Sequence, residues 1–435
     1  MSQQSQLKTG TRIVRRDPGR PIEEVDADIC VVGAGISGIS ASLEAARLGR
    51  RVVLVDGLPA LGGQAVNSII GTFCGLFSNG AEGGYQVTHG VADDILRDLG
   101  EAGALHYRRG PMTTVVMYDE VALSRWVEEA VRRAGITVVV GAVMREVRVE
   151  SRRVSAIDFA TRYGDVRVRA NGFVDSSGDA AIAWYAGLPC REPAEGPIYG
   201  SQMMVLEGIG DATYPTMDEM HGRLREKADA YGLIRKDGFA MSFPSRGTAL
   251  MNMTHVETPL EPVAASKVGL EGKAQADRAL TFLKGEFPEL FGPAKVRAYG
   301  YPGIRQTRWI VGTHQLSVEE VRDGTRFDDA VARTAWPIEL HSSAEGYVWE
   351  PFDADHLHYV PLSSMTPSDV DNVVAAGRCI DGDAAALSSV RVMGPCIAMG
   401  AAAAHSLDLA GSSSVHEIDI AALRERLADN LVRTD

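Results

Sequence analysis

The sequence of 435 residues is poor in cysteine and has no long apolar run. Its five cysteines are scattered and odd in number, and none belongs to a C-x-x-C pair or to a ligand-like spacing with histidine. Neither a disulfide framework nor a metal site is therefore predicted. No apolar run approaches the roughly 18–20 residues that a membrane-spanning helix requires. We expect a reduced, cytoplasmic protein without a membrane span.

The sequence also has fewer basic than acidic residues. Lys and Arg together number 44 against 57 Asp and Glu, which gives a formal net charge of −13. Because nucleic-acid binding draws on basic side chains, no nucleic-acid partner is expected. The polar stretch 1–24 is followed by no apolar segment, so the sequence predicts a flexible tail there rather than a signal peptide.

The most specific pattern lies in residues 28–63. A buried strand leads through the turn G-A-G-I-S-G into a small-residue helix, and a second strand ends in a carboxylate. The first glycine permits a tight turn, the second lets the backbone approach a pyrophosphate, and the third lets helix and strand pack closely. The helix N-terminus favours the diphosphate, and the carboxylate can accept ribose hydroxyls. An ordinary glycine-rich turn is the alternative. The predicted dinucleotide contacts are Gly33, Gly35, Ile36, Ser37, Gly38, Asp56 and Gly57.

The remaining chain divides into further blocks. Residues 196–356 mix strands and helices without a second G-x-G-x-x-G, and we interpret them as an α+β substrate domain inserted into an α/β dinucleotide-binding domain. The chain closes with a buried strand and a small-residue helix that begins at a Gly-Pro pair. The predicted bounds are a flexible tail at 1–24, the dinucleotide-binding domain at 25–195 and 357–411, the substrate domain at 196–356, and a C-terminal helix or tail at 412–435.

Several motifs together resemble a known family. After Asp56 the chain runs to a glycine pair, Gly62-Gly63, which resembles the FAD-binding half of the glutathione-reductase-type flavoproteins. Later motifs are D-S-S-G-D, G-I-R-x-T-R, W-P-I-E-L-H, Y-V-P-L, N-V-V-A-A-G-R-C-I and S-V-R-V-M-G-P-C. Over residues 27–410 the sequence resembles the bacterial FAD-dependent oxidoreductases with a glutathione-reductase-like FAD-binding fold, which are distantly similar to succinate dehydrogenase and fumarate reductase flavoproteins.

The resemblance implies a Rossmann-type fold that holds FAD non-covalently. The strand after residue 171 closes over the cofactor, although Asp179 is equally suited to cap a helix. We expect the N-terminus of the last helix to point at the flavin pyrimidine. Disulfide chemistry is not implied, because only one cysteine follows the glycine pair. The further FAD contacts are Gly62, Gly63, Gln64, Val143, Ser177, Gly178, Asp179, Gly377, Arg378, Asp381, Val392, Met393 and Gly394.

Flavin oxidation of an alcohol or amine needs a proton acceptor, and histidine suits that role near neutral pH. His341 is the first candidate because it ends an apolar strand-like run, with a structural histidine as the alternative. His358 is the second. The surrounding D-x-D-H-x-H could hold a metal, but a solvent-facing loop leading into a strand explains it without one. Cys74 is a candidate substrate contact, with a packing thiol as the alternative.

Arginines among apolar neighbours need anionic partners. Arg305, Arg308 and Arg391 are such residues. Their partner could be a substrate carboxylate, the flavin, or a structural Asp or Glu.

Three functions remain open from the sequence. The first is an FAD-dependent dehydrogenase or oxidase acting on a C–OH or C–NH bond of a small polar molecule. The second is an ene-type enzyme acting on a C–C bond, which the fumarate reductase relatives and the arginines favour. The third is an electron-transfer subunit of a larger complex. The electron acceptor could be oxygen, a quinone or a protein, and a homodimer is the commonest assembly.

Overall fold

The computed structural model describes residues 10–15, 21–80, 84–110 and 113–434. Much of the predicted tail at 1–24 lies outside the described residues, and the first strand already begins at residue 23. The elements up to residue 195 are β1 (Glu23–Val32), α1 (Ile36–Arg47), β2 (Val52–Asp56), α2 (Gly63–Asn67), β3 (Thr72–Phe73), α3 (Val91–Glu101), β4 (Leu105–Arg109), β5 (Thr114–Tyr118), α4 (Glu120–Arg133), β6 (Thr137–Val140), β7 (Val143–Glu150), β8 (Arg153–Thr161), β9 (Gly164–Asp175), α5 (Ala181–Tyr185) and β10 (Cys190–Arg191).

The middle of the chain contributes a second group of elements. These are β11 (Ser201–Glu207), α6 (Met217–Lys227), β12 (Phe239–Phe243), β13 (Thr248–Asn252), α7 (Pro262–Ala265), α8 (Val268–Glu286), α9 (Pro288–Phe291) and β14 (Lys295–Gly303). The chain then continues through β15 (Trp309–Ile310), α10 (Val318–Asp323), β16 (Ala330–Thr334), β17 (Ile338–Leu340), β18 (Val348–Glu350), β19 (His358–Pro361), β20 (Val373–Ala375), α11 (Ala384–Val390), α12 (Met393–Ala410), α13 (Ile420–Arg426) and α14 (Ala428–Val432).

A mostly parallel sheet forms the centre of the fold. The strands β6, β2, β1, β9 and β20 pair in parallel in that order, and β7 and β8 extend β9 as an antiparallel meander. Val31 of β1 pairs with Leu54 on one side and Val174 on the other. These strands are apolar on both faces because both faces are covered, as in other parallel sheets.

The carboxyl ends of four parallel strands meet at one edge of this sheet. β1, β2, β9 and β20 end at Val32, Asp56, Asp175 and Ala375. Doubly wound sheets bind their ligands outside this edge, in the loops that follow the strands. The predicted dinucleotide-binding residues lie in the segments that follow these strands and the adjacent β6, or at the N-terminus of α12.

Helix α12 is buried on almost every side and packs directly on α1. A side chain at Gly400 would place its Cβ 2.2 Å from the carbonyl oxygen of Ser37, so only glycine fits there. The Ser40 hydroxyl donates to the carbonyl oxygen of Ile397 at 2.7 Å, which joins the two helices. This close packing fixes the N-terminus of α12 beside the N-terminus of α1.

A second, antiparallel sheet has the order β12-β13-β11-β14 and is covered by α6 and α8. Its core is separate from that of the parallel sheet and includes Met204, Met251 and Phe282. Residues 309–352, by contrast, bury Trp309 and Ile338 in the same core as the parallel sheet. The substrate domain predicted at 196–356 remains a prediction, and the packing places its independent core within residues 201–303.

Among the described residues no single helix is both long and apolar enough to cross a membrane. The pair α11 and α12 meets the length and composition criteria only when taken together, with a bend of 89° between them.

Candidate active site

In the turn after β1, packing within the protein requires glycine at two positions. Gly33 has φ +100°, donates its N–H to the carbonyl oxygen of Val55 at 2.7 Å, and would place a Cβ 2.2 Å from the Ser176 carbonyl oxygen. A Cβ at Gly38 would lie 1.8 Å from the Gly33 carbonyl oxygen. Both glycines are therefore required by backbone-to-backbone contact, as the motif predicts.

Gly35 differs from both, because the protein alone gives no reason for a glycine there. It precedes the first residue of α1 with φ −71°, and a Cβ would meet no atom within 4 Å. Gly57 is also open. The space in front of the α1 N-terminus is therefore left free at the point where free N–H groups and the helix dipole favour an anion. This opening fits the pyrophosphate of a dinucleotide.

A second backbone segment closes on this opening. Gly62 donates its N–H to the Ala34 carbonyl oxygen at 2.8 Å, and a Cβ at Gly63 would lie 2.5 Å from the Gly35 Cα. Gln64 follows in α2 and extends towards β14, its Oε1 being 4.0 Å from the Cβ position of Gly303. Ile36 and Ser37 form the first turn of α1.

Asp56 ends β2 with its carboxylate turned towards the glycine turn. It accepts the N–H of Ala34 at 2.6 Å and of Leu58 at 2.7 Å. Burial raises the pKa of Asp56, and these backbone N–H groups oppose that shift. The carboxylate keeps acceptor capacity for ribose hydroxyls. Val143 lies nearby, because the N–H of Ala142 donates to the Asp56 carbonyl oxygen at 3.0 Å.

Beyond β9 the segment Ser177-Gly178-Asp179 meets the turn after β20. A Cβ at Gly178 would lie 2.1 Å from Nη2 of Arg378, and Gly377 has φ +74° with its Cβ position 2.8 Å from the Ser37 hydroxyl. Arg378 and Gly377 therefore reach the same edge of the sheet as the glycine turn. Asp179 itself does not cap α5, because it accepts from the Thr307 hydroxyl. The segment does cap this helix, since Ser177 and Asp175 accept the N–H groups of Ala181 at 3.0 Å and Ile182 at 2.8 Å.

Asp381 is fully buried and already engaged by the protein. Its carboxylate pairs with Arg191 at 2.8 Å and accepts the N–H of Gly312 at 2.9 Å. Burial raises its pKa, and Arg191 opposes the shift. Its predicted contact with FAD remains a prediction.

The N-terminus of α12, where Val392, Met393 and Gly394 lie, is in contact with the loop after β3. Gly394 donates its N–H to the Cys74 carbonyl oxygen at 2.9 Å. Burial, followed by the repulsion of Glu339, raises the pKa of the Cys74 thiol to about 12. Cys74 therefore stays a neutral thiol at physiological pH and is not a thiolate nucleophile.

Three side chains from two segments, Glu339 and His341 on one and His255 on the other, lie in one chain of polar contacts. His341 Nε2 lies 2.9 Å from Glu339 Oε1, and His341 Nδ1 lies 2.9 Å from His255 Nε2. His255 Nδ1 lies 3.0 Å from the Ala344 carbonyl oxygen. His341 is fully buried and stacks on the ring of Tyr347 at 4.8 Å.

The direction of this chain follows from its end. A carbonyl oxygen only accepts, so His255 Nδ1 carries the proton; burial lowers the pKa of His255 to about 2, so its Nε2 has none and accepts from His341 Nδ1–H. Burial and the charge of Arg305 also lower the pKa of His341. In neutral His341 the Nε2 lone pair faces the carboxylate of Glu339 directly. With both histidines neutral, His341 Nε2 and Glu339 Oε1 are two acceptors 2.9 Å apart, and they form a hydrogen bond once the pair takes up one proton.

Of this pair, Glu339 is the residue that a substrate can reach. Its side chain is 23% exposed, whereas both ring nitrogens of His341 are occupied and none of its side chain is exposed. The indole N–H of Trp336 donates to the other oxygen, Oε2, at 3.1 Å. Glu339 was missed from the sequence, although its spacing of two residues from His341 on a strand-like run was a usable signal.

The predicted arginines divide into two kinds. Arg308 pairs with Glu192 at 3.2 Å and stacks 3.7 Å above the ring of Trp184, which is the structural alternative. Arg305 and Arg391 form no ion pair with any described carboxylate; they bind carbonyl or hydroxyl oxygens instead. Arg391 Nη2 donates to the main-chain oxygen of Glu339 at 3.2 Å.

His358 is buried outside this cluster. Its Nε2 lies 2.8 Å from the Ser389 hydroxyl, and its Nδ1 lies 3.1 Å from His356 Nε2. Both nitrogens are thus bound by the protein, which favours a structural role over the predicted role as a base. Within the described part of the chain no group of three or more His, Cys, Asp or Glu could hold a metal ion.

Replacing His358 by Gln should make the free energy of unfolding depend less steeply on pH below 6.5. Burial lowers the pKa of His358 to about 3, so below its ordinary value of 6.5 the unfolded chain binds a proton that the folded protein does not. Stability is therefore lost as pH falls from 6.5 towards 3, by about 1.4 kcal/mol per pH unit. At pH 5 the wild type should have lost about 2 kcal/mol more than H358Q, relative to pH 7, in urea unfolding. Parallel pH profiles for the two proteins would contradict this assignment.

Comparison with known proteins agrees with the geometry. A sequence model of the family described as FAD dependent oxidoreductase matches residues 28–427. A geranylgeranyl bacteriochlorophyll reductase-like protein of Thermoplasma acidophilum is 13% identical with a TM-score of 0.48, covering 94% of this chain and 86% of that chain. PqsL of P. aeruginosa is 13% identical with a TM-score of 0.43, covering 94% of each chain. No curated protein matches the sequence.

The family match spans most of the sequence, and the residues around the glycine turn leave a cradle that fits a dinucleotide. The chain belongs to the FAD-dependent oxidoreductase family and is an FAD-binding enzyme of the Rossmann-type α/β fold with an additional domain.

Proposed function

We propose that the enzyme oxidises a C–OH or C–NH group of a small polar substrate and that Glu339 accepts the proton released. FAD, when bound, supplies the acceptor for the hydride. The observation that carries the proposal is the chain from Glu339 through His341 to His255, because a carboxylate facing an unprotonated imidazole is a proton acceptor already in place.

Each protein group in this step has a defined task. The indole N–H of Trp336 donates to one oxygen of Glu339 and orients the carboxylate, so that the other oxygen faces His341 Nε2. The proton taken from the substrate comes to lie between Glu339 Oε1 and His341 Nε2. His255 fixes the tautomer of His341 and acts as a positioning residue. His341 thus acts through Glu339, which modifies its predicted role as the base.

The proton acceptor lies near the end of the fold where the cofactor residues converge. Arg391 bonds the main chain of Glu339 and immediately precedes the first turn of α12. The Cys74 carbonyl oxygen accepts a hydrogen bond from that same turn. The charge of Glu339 contributes to the raised pKa of the Cys74 thiol, which indicates that Glu339 lies nearby. The N-terminal dipole of α12 favours negative charge near it, which suits a cofactor that becomes more negative on reduction.

The first test is the purified protein's visible spectrum before and after denaturation, followed by anaerobic mixing with alcohols, 2-hydroxy acids, amines and amino acids. A yellow chromophore that stays in the supernatant after denaturation marks non-covalent flavin. We expect at least one compound with an oxidisable C–OH or C–NH bond to bleach the flavin. Readmitted air then separates an oxidase, which recovers its colour rapidly, from a dehydrogenase. Bleaching by none of these classes would contradict the proposal.

A second candidate is an ene-type enzyme that acts on a C–C bond next to a carboxylate. Arg305 and Arg391 favour it, because neither has a carboxylate partner among the described residues. The predicted distant similarity to succinate dehydrogenase and fumarate reductase flavoproteins belongs to this candidate, whereas the predicted glutathione-reductase-like FAD-binding fold is shared by both. It predicts that dithionite-reduced enzyme is reoxidised without oxygen by an unsaturated carboxylate such as fumarate, whereas the first candidate predicts no such reoxidation.

A further inference from the structure

Two arginines in the interior of this protein face carboxylates, whereas the buried Arg333 donates to the main-chain oxygen of Arg433. Arg235, which is completely buried, pairs with Asp237 at 2.6 Å, and Arg246 pairs with Asp119 and Glu120 at 3.0 Å each. A buried guanidinium without such a partner is costly, so an exception points to an anion from outside the chain.

Arg305 is one exception. It follows β14 and donates from Nη1 to the Tyr199 carbonyl oxygen at 2.5 Å and from Nη2 to the Ser201 hydroxyl at 3.0 Å. These two neutral acceptors use only part of the five N–H donors of a guanidinium. They hold the side chain in place without neutralising its charge.

Arg391 is a second exception, and it contacts the main chain of Glu339. Its protein acceptor is the main-chain oxygen of Glu339 at 3.2 Å, and its buried Nε has no hydrogen-bond partner. Burial lowers the pKa of Arg391 to about 10, although the charge of Glu339 opposes the shift. Burial and the repulsion of Arg391 and Arg235 lower the pKa of Arg305 despite the opposing charges of Glu339 and Asp237. The two arginines are thus close enough to repel each other inside the protein.

The two nearby carboxylates, Asp237 and Glu339, act on these arginines through their charge but have other hydrogen-bond partners. Asp237 is bound by Arg235 through Oδ1 and by the N–H of Tyr347 through Oδ2 at 2.8 Å. Glu339 is bound by His341 and Trp336. Three guanidinium groups therefore share two carboxylates, and the cluster carries an excess of positive charge that a bound anion would balance.

We propose that the substrate is a carboxylic acid and that Arg305 and Arg391 bind its carboxylate beside the proton acceptor. The planar guanidinium fork matches a planar carboxylate, which it can bind through two parallel hydrogen bonds. The proposal rests on the proposed function, because it names the substrate class of the same site. Within the C–OH and C–NH substrates it favours hydroxy acids over amino acids, since a zwitterion would add an ammonium group to a site with surplus positive charge.

The test is a titration of the FAD-loaded protein with propionate and with propionamide, which differ in charge but hardly in shape. The readout is the flavin difference spectrum, which needs no turnover. We expect propionate to bind at least about 10-fold more tightly than propionamide, because one charged pair in a buried site is worth that factor. Arg305→Met and Arg391→Met should each weaken propionate about 10- to 100-fold and leave propionamide unchanged.

Arg308→Met is the matched control, because Arg308 already pairs with Glu192 and should leave propionate binding unchanged. If a methionine variant does not fold, Arg305→Lys keeps the charge while losing the fork, and the wild-type comparison needs no variant at all. Equal binding of propionate and propionamide, or propionate binding unchanged in both arginine variants, would overturn the proposal. A different experiment tests the proposed function, which would be contradicted if removing the carboxylate of Glu339 left turnover intact.

Discussion

The variant Glu339→Gln is expected to fold normally and to turn over its substrate about 10²- to 10⁴-fold more slowly than the wild type. The amide has the shape of the carboxylate and can form a hydrogen bond at each of its two contacts. Its oxygen accepts from the indole N–H of Trp336, and its NH₂ donates to the unprotonated Nε2 of His341. What it cannot do is accept a proton, so the loss should appear in kcat and kcat/KM and not in flavin content.

The measurement is anaerobic flavin reduction by whichever compound bleaches the wild type. Glu345→Gln is the matched control, because Glu345 is an exposed glutamate whose side-chain partner is Lys236 at 3.3 Å. A Glu339→Gln enzyme with normal spectrum and normal reduction rate would remove Glu339 from the mechanism.

His341→Asn distinguishes a positioning role from a purely structural one. His341 touches Glu339 but has no exposed side-chain surface, so its loss should slow reduction less than the loss of Glu339 does. The acid limb of the kcat/KM profile should also move, because the shared proton loses one of its two acceptors. A residue that only supported the fold would lower stability without moving that limb.

Local patterns predicted the strand–helix–strand unit around the glycine turn well. The turn at residues 33–38 and the carboxylate at Asp56 lie within one strand–helix–strand unit, where spacing alone determines which atoms meet. The second glycine pair lies only a few residues beyond. The physical reason is that backbone geometry decides these positions, and backbone geometry is encoded by neighbouring residues.

The proton-acceptor cluster could not be predicted in the same way. His255 and His341 are 86 residues apart, and nothing local to either shows that they meet. The partners of the arginines could not be predicted from local sequence either. Arg305 and Arg308 are three residues apart in one motif, yet Arg308 meets Glu192 from a distant segment and Arg305 meets no carboxylate that the structure describes. Tertiary packing decides which charge is neutralised.

Gly35→Ala and Gly38→Ala alter the same motif but should impair different properties. We expect the first to weaken FAD binding and the second to destabilise the fold. The Cβ at residue 38 would lie 1.8 Å from the Gly33 carbonyl oxygen, a main-chain atom that cannot rotate away. Gly38→Ala should therefore cost the folded protein about 3 kcal/mol or more with or without FAD. A large fall in the Tm of the apoprotein would show this.

Gly35→Ala should leave the apoprotein nearly as stable as the wild type, within about 1 kcal/mol, because φ of −71° suits alanine and the new Cβ meets no protein atom within 4 Å. The methyl group instead fills the space left before the α1 N-terminus, where the pyrophosphate must approach the backbone. FAD affinity should fall roughly 5- to 150-fold, the equivalent of about 1–3 kcal/mol of overpacking. The measurement is FAD titration of the apoprotein, with apoprotein Tm as the control. Because the gain of Tm on adding FAD depends on that affinity, the difference between apo and holo Tm should shrink in Gly35→Ala even though its apo Tm does not. Unchanged FAD affinity would mean that the open space at Gly35 is not where the cofactor lies.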